Sequence, residues 1–333
     1  MNLQPTTPYS TVLSWRFFPF RGAAMIPFDG AFAQNIVYPL AFGAYDAEQP
    51  PPGYTYNVTA FDILGDLGKV QARLQDLDKT DPKQRHRKPL DAMLKHSRKP
   101  RILSADKATT AAVAAMVPNP LLNNHFGWVC IDQANARLIV CFRGTEYFKD
   151  WLDDFDFAPA PYSAIPGRGT VHRGFQIVYE TVQDNVRALV KAHGANCKEI
   201  LITGHSLGGT LCALAAPDLL NDVASNLAPI VYTWAEPRVG HPDYVQFFDT
   251  RVNICYRIVN LWDVVPHLPP LLALYEHEGH SLHIDSGFSM DIVHNHVLVT
   301  GYAPGITKWN QDHPTTLTRF GIAPLFPLVG KSA

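Results

Sequence analysis

Glu199-Ile200-Leu201-Ile202-Thr203-Gly204-His205-Ser206-Leu207-Gly208-Gly209-Thr210 is the stretch on which the rest of the chain is arranged. The apolar, β-branched run 200–203 has the composition of a buried strand, and a small-residue stretch suited to a helix follows through Ala216. At their junction lies Gly204-His205-Ser206-Leu207-Gly208, a Gly-x-Ser-x-Gly run. A serine at the apex of so sharp a turn adopts a strained backbone, and glycines two places to either side let strand and helix pack closely. The expected product is an exposed, activated hydroxyl. Ordinary glycine-rich βα turns also contain this pattern; the strand before it and the Gly209/Ala213/Ala215/Ala216 helix after it favour the catalytic alternative.

Outward from this junction, strands alternate with helices. Residues 229–234 and 255–261 read as further buried strands, with Asp263 just past the end of the second. Residues 126–132 and 137–142 are β-rich and joined by Gln133-Ala134-Asn135-Ala136, which predicts a hairpin. A long helix is expected from about residue 175 to His193, with Phe175, Val178, Tyr179, Val182, Val186, Leu189 and Val190 inward and Gly194 ending it. Pro217 should bend or end the helix behind Ser206. Residues 32–47 have helical spacing (Phe32, Ile36, Val37, Leu40, Ala44), with Pro39 kinking that helix or marking its start. The alternation argues an α/β fold with a mostly parallel central sheet covered by helices.

Composition sets the outer bounds. The 333 residues are 47% hydrophobic and 17% charged, which suits one large α/β domain, 1–333, better than two independent cores. A net charge of −2 gives no global field for nucleic acid, so none is expected as a partner. The five cysteines, Cys130, Cys141, Cys197, Cys212 and Cys255, mostly lie in or beside apolar runs and read as small core residues rather than a disulfide framework. No run approaches the ~18 apolar residues of a membrane span. In residues 1–25, Arg16 and Arg21 interrupt the apolar stretch and Pro19 breaks it, so no secretory signal is recognised. A cytoplasmic chain, or one exported by another route, is compatible with this. Asn57-Val58-Thr59 matches a glycosylation sequon, which has meaning only on export.

Two segments stand apart. Residues 76–101 collect Lys79, Lys83, Arg85, Arg87, Lys88, Lys95, Arg98, Lys99 and Arg101 among three prolines and read as an exposed basic insertion. A solvated excursion is the ordinary reading, and peripheral contact with an anionic lipid surface the sharper one. In residues 146–157, Tyr147, Phe148, Trp151, Leu152 and Phe155 share one helical face, while Asp150, Asp153, Asp154 and Asp156 fill much of the remainder. Pattern alone favours a surface helix packed on the body over a mobile cover.

A serine hydroxyl is a poor nucleophile near neutral pH, so Ser206 requires an imidazole to take its proton and a carboxylate to orient that imidazole. In this architecture the order is Ser, Asp/Glu, His, at the carboxyl ends of later strands. Asp263 meets that placement better than Asp243 and Asp249, which fall in a helical stretch, or Asp285, in an alternating hairpin-like run. For the base the tail offers His267, His277, His280, His283, His294 and His296, with His296 and His294 standing before an apolar stretch. His277-x-x-His280-x-x-His283 invites a metal reading, but strand alternation aims those rings at different faces. No metal and no cofactor is therefore assigned.

Five blocks in order resemble the class 3 lipase family of α/β-hydrolases: Phe142-Arg143-Gly144-Thr145, Val171-His172-Arg173-Gly174-Phe175, residues 204–209, Pro237-Arg238-Val239-Gly240, and Arg257-Ile258-Val259-Asn260 continuing through Asp263 to Pro270. The resemblance spans residues 126–305. It implies an α/β-hydrolase fold, carboxylic-ester hydrolysis, Ser206 as nucleophile, Asp263 as orienter and a histidine near the last helix as base, taken here as His296 over His294. It also implies oxyanion donors at the backbone amides of Thr145 and Leu207, and a lid at 146–157, which reverses the reading from pattern alone. Triacylglycerol lipase is the leading expectation, with feruloyl esterase, phospholipase A1 or a silent lipid-binding protein as rivals. The expected partner is a lipid or ester substrate at an interface. The family's aromatic soon after the catalytic histidine is displaced here, to Tyr302, and the basic insertion matches nothing in the family pattern.

Overall fold

Strands whose side chains alternate between two covered faces must be apolar throughout, and this chain supplies several such runs. The computed structural model of the protein describes residues 28–44, 60–66, 69, 72, 123–133, 135–144 and 157–313. The basic insertion 76–101, the sequon at Asn57, residues 1–25, Thr145 and the lid segment up to residue 156 lie outside the described residues.

Seven strands form one sheet: β1 (Ala60–Asp66), β2 (Asn123–Asp132), β3 (Arg137–Phe142), β6 (Glu199–His205), β7 (Ala228–Trp234), β8 (Cys255–Asn260) and β9 (His280–Ile284), in that spatial order. A short antiparallel pair, β4 (Pro159–Pro161) with β5 (Thr170–His172), stands apart from it. Strands β3, β6, β7, β8 and β9 run parallel, while β2 pairs antiparallel with both β1 and β3. The expected hairpin is thus β2–β3. The alternating run around Ser281–Ile284 proves to be a parallel edge strand beside β8 rather than half of a hairpin.

Alternation divides the core into two layers. Leu138, Val140 and Phe142 of β3 and Ile200 and Ile202 of β6 face the helices Arg173–His193 and Leu207–Asn221. Ile139 and Cys141 of β3, Leu201 of β6 and Ile230 of β7 face the other way, onto Ile36, Val37 and Leu40 and onto Leu298, Tyr302 and Ile306. The five cysteines are free and buried.

The long helix Arg173–His193 buries Phe175, Val178, Tyr179, Val182, Val186 and Val190 and half-buries Leu189, and His172 caps it by accepting from the amide of Phe175 at 3.3 Å. Gly194 ends it in a right-handed conformation, so its need for glycine is close approach: an added Cβ would lie 2.7 Å from the Val190 carbonyl. The first helical run starts at Gly30, capped by Asp29, and reaches Gly43 with a wider π-helical turn, Ala33–Val37, just before Pro39. Phe32, Ile36, Val37, Leu40 and Ala44 are all buried.

Of the two outcomes expected at Pro217, it does not end the helix behind Ser206, which runs through it to Asn221. Proline deprives the Ala213 carbonyl of its usual helical donor. Tyr244 supplies one instead, its hydroxyl donating to Ala213 O at 2.8 Å, and Tyr162 donates to the neighbouring Leu214 O at 2.6 Å.

Candidate active site

The junction between β6 and the following helix is built as tightly as its glycines require. An added Cβ on Gly204 would lie 2.5 Å from the main chain of Gly208, and one on Gly208 would lie 2.3 Å from the Phe142 carbonyl at the end of β3. Ser206 between them takes φ 58° and ψ −123°, a conformation that L-residues hold only where the surroundings enforce it. Its amide donates to the Trp234 carbonyl at 2.8 Å, extending the ladder to β7 up to the serine itself. Leu207 is the first residue of the helix, so its amide has no partner within that helix.

Ser206 Oγ lies 2.9 Å from His296 Nε2, and His296 Nδ1 lies 2.9 Å from Asp263 Oδ2. The side chains of His296 and Asp263 are 3% and 0% exposed, so the chain of contacts is sealed from bulk water. Asp263 follows β8 in a turn closed by its own amide on Asn260 O at 3.0 Å. Its carboxylate also accepts from the Val265 amide at 3.0 Å and the Tyr302 hydroxyl at 2.7 Å. A carboxylate only accepts, so Nδ1 of His296 carries the proton and Nε2 presents its lone pair to the Ser206 hydroxyl.

His296 closes the five-residue helix Ile292–His296, whose start is capped by Asp291 accepting from the Val293 amide at 2.9 Å. Its backbone is pinned from two sides. His205 Nε2 donates to the His296 carbonyl at 2.8 Å, and Asn260 Nδ2 donates to the preceding carbonyl of Asn295 at 2.9 Å. Burial, reinforced by the nearby His296 ring, holds His205 well below the usual imidazole range, so it serves as a neutral donor. Burial, then the charge of Asp263 and its hydrogen bond, push the Tyr302 hydroxyl well above the usual phenol range, keeping the proton on the phenol oxygen, which donates it to the carboxylate.

The competing residues are engaged elsewhere. Asp243 accepts from the Thr170 amide at 3.2 Å, Asp249 from the Gly279 amide at 2.9 Å, and Asp285 from Trp262 Nε1 at 2.9 Å. His294 is exposed, and its carbonyl accepts from Thr300 Oγ1 at 2.7 Å. His277 is half-buried with Nε2 2.7 Å from Pro266 O, whereas the His280 ring lies 5.9 Å from that of Tyr256. Among the described residues no group of three or more His, Cys, Asp or Glu side chains is placed to hold a metal ion. Thr145 lies outside the described residues; the chain leading to it passes the junction at Phe142.

Apolar side chains crowd the surface around Asp263 and His296. Leu261, Trp262 and Val264, next to Asp263 in the chain, are 52%, 41% and 42% exposed, and Leu271 and Leu272 are exposed too. Phe288, Met290, Val293 and Val297 are exposed as well, and the rings of Trp262 and Phe288 meet at 5.0 Å. Sequence reasoning missed what Tyr302, Asn260 and His205 do. Tyr302 was visible only as a displaced aromatic, and nothing local marks the other two.

Residues 139–273 match the family model described as lipase (class 3). The chain is 33% identical over 162 residues to a secreted mono- and diacylglycerol lipase of Fusarium solani, covering 48% of this chain and 47% of that one. It is 32% identical over 196 residues to a phospholipase A1-II of Oryza sativa subsp. indica, covering 50% of this chain and 49% of that one. Among solved structures, the Rhizomucor miehei triacylglyceride lipase superposes with a TM-score of 0.44 at 32% identity, over 48% of this chain and 61% of that one. The chain thus spans about half the length of the curated relatives it matches.

Proposed function

Because residues 139–273 belong to the class 3 lipase family, we propose that the chain is a serine carboxylic-ester hydrolase, acting on acylglycerols as a triacylglycerol lipase. The observation that carries the reading is the continuous run from Ser206 Oγ through His296 to Asp263, with both steps at 2.9 Å. His296 Nε2 accepts the hydroxyl proton as Ser206 Oγ attacks the ester carbonyl, and Asp263 holds the imidazolium that forms. The tetrahedral oxyanion rests on the backbone amides of Leu207 and Thr145, each such donor contributing about 3 kcal/mol to the lowering of the barrier. His296 then returns the proton to the departing alcohol oxygen. Water, deprotonated by the same imidazole, releases the acid from acyl-Ser206.

The exposed apolar side chains around the site support a long-chain acyl substrate presented at an interface, and segment 146–157 is assigned as the cover that such an interface displaces. A phospholipase A1 reading is favoured by the rice relative, whose identity to this chain equals that of the lipases within a few per cent. Feruloyl ester hydrolysis is the remaining rival from the sequence. Hydrolysis of monomeric and emulsified acylglycerols beside a phospholipid separates the first two.

The direct test is Ser206→Ala. We expect p-nitrophenyl ester turnover and covalent labelling by a fluorophosphonate probe to vanish while the folded structure persists, since among the described residues Ser206 Oγ hydrogen-bonds only the imidazole. Wild-type turnover in that variant would remove the mechanism. Labelling without turnover of any ester in the unaltered chain would leave a binding protein with a reactive serine.

A further inference from the structure

The helix that carries the nucleophile turn rests on an acid that the proposed reaction does not use. An added Cβ at Gly209, three residues after Ser206, would lie 2.9 Å from Cβ and 3.2 Å from Cγ of Glu236. Glu236 follows β7 through Ala235, a non-glycine residue at φ 54°, and is 1% exposed. Thr233 Oγ1 donates to Glu236 Oε2 at 2.5 Å. On its other side Glu236 faces the carboxyl of Glu278, which is also 1% exposed. Among the described residues, Glu236 Oε1 and Glu278 Oε2 meet no donor. Two carboxylates are acceptors only, so these two buried oxygens satisfy one another only when one of the acids carries a proton.

The surroundings cannot neutralise two charges. From β8, Arg257 spends its Nε on the main-chain carbonyl of Glu278 at 2.6 Å. From the helix Pro242–Arg251, Asp249 adds a third carboxyl that accepts from the Gly279 amide, and burial pushes it up to about 6. Cys212 of the nucleophile helix, Cys255 of β8 and Tyr244 face the same acids, and each is pushed well above its ordinary range by burial first. One guanidinium therefore stands against three carboxyls in a dry site, where an unpaired buried charge is strongly disfavoured.

We propose that Glu236 is a positioning residue for the nucleophile: it braces the helix behind Ser206 as a neutral acid sharing one proton with Glu278, and loss of that proton at alkaline pH loosens the turn. Burial, then the charge of Glu278 and the hydrogen bond to it, hold the Glu236 carboxyl well above the carboxylate range, in agreement with this geometry. The sign follows from linkage. A carboxyl raised on folding contributes in full below its ordinary value, and the contribution is lost as pH rises through the folded-state value. The positioning role rests on the hydrolase reading, whereas the shared proton does not.

Infrared difference spectroscopy on the full chain, wild type minus Glu236→Gln, tests the proton directly. At pH 7 the difference should contain the carbonyl stretch of a protonated carboxylic acid, and that band should fade at alkaline pH. In parallel, kcat for a p-nitrophenyl ester should fall reversibly on the alkaline side in the wild type, by about tenfold per pH unit beyond the break. Glu236→Gln, whose amide donates without titrating, should lose that fall while KM stays constant. Glu278→Gln makes the same prediction and serves if the first variant does not fold. No acid band, or an alkaline limb identical in wild type and variant, overturns the proposal. An inactive wild type with the band would sink the hydrolase reading and uphold the shared proton; an active wild type without the band would do the reverse.

Discussion

Asp218 and Asp263 are both buried, and among the described residues each takes three side-chain or main-chain donors, yet they belong to different kinds of structure. Asp218 accepts from Tyr179 Oη at 2.6 Å, Gln183 Nε2 at 2.9 Å and Arg187 at 2.6 Å, all from the long helix Arg173–His193. Asp263 accepts from the Val265 amide, Tyr302 Oη and His296 Nδ1. The partner decides the outcome. A guanidinium is charged at every accessible pH, so Asp218 sits in a completed ion pair that ties two helices together. An imidazole can gain and lose a proton, so in the proposed mechanism Asp263 faces a charge that appears when Ser206 gives up its proton. One aspartate spends its interactions on the folded state; under the proposed mechanism the other spends them on a state that exists for an instant of turnover.

Substitution should separate them sharply. Asp263→Asn keeps the shape but turns a donor toward His296 Nδ1 and favours the wrong tautomer. We expect kcat to fall about 10,000-fold with the melting temperature little changed. If esterase kinetics of that variant stay within tenfold of wild type, Asp263 is no different in kind from Asp218. Asp218→Ala should show the opposite profile. It leaves Arg187, 29% exposed, without its buried carboxylate and strands Tyr179, for a loss of about 3 kcal/mol in urea unfolding. The kcat of the molecules that remain folded should be unchanged, because no Asp218 contact reaches the serine.

The same contrast marks where the sequence could be read and where it could not. Ser206 was legible because a strand that must turn at once into a helix leaves only glycine at 204 and 208, and that requirement is written locally. Asp263 was legible from its place just past a buried strand. His296 and His294 were not separable by position, since residues two apart on a helix point in different directions and Ile292–His296 has too few apolar residues to show which face is inward. Tyr302 returns to Asp263 through the π-helical turn Leu298–Tyr302, a widening with no sequence mark. That the helix would continue past Pro217 was not legible, because the donor that replaces its missing amide, the Tyr244 hydroxyl on Ala213 O, comes from a distant helix. Glu236 and Glu278 likewise meet only when β7 and the start of β9 are brought together by β8. What the sequence withheld in each case is a contact between segments far apart along the chain.

The finest division of the comparison lies within the donors of Asp263 itself. Tyr302 Oη and His296 Nδ1 share the same oxygen, Oδ2, at 2.7 and 2.9 Å. A hydroxyl donating there stabilises the carboxylate before and after proton transfer alike, and so draws negative charge away from the imidazole that needs it. It also fixes the carboxylate plane, together with the Val265 amide on Oδ1. Tyr302→Phe removes the first effect and weakens the second while leaving the ring in its packing against His205 and Trp234. The two effects oppose each other in kcat, so the change should be small, a loss of about fivefold, or roughly 1 kcal/mol. They do not oppose each other in the pH profile. With one donor fewer, the carboxylate attracts the His296 proton more strongly, and the acidic limb of kcat/KM should move to higher pH. A profile that stays fixed while kcat falls would mean that Tyr302 only holds the carboxylate in place, as Tyr179 does for Asp218.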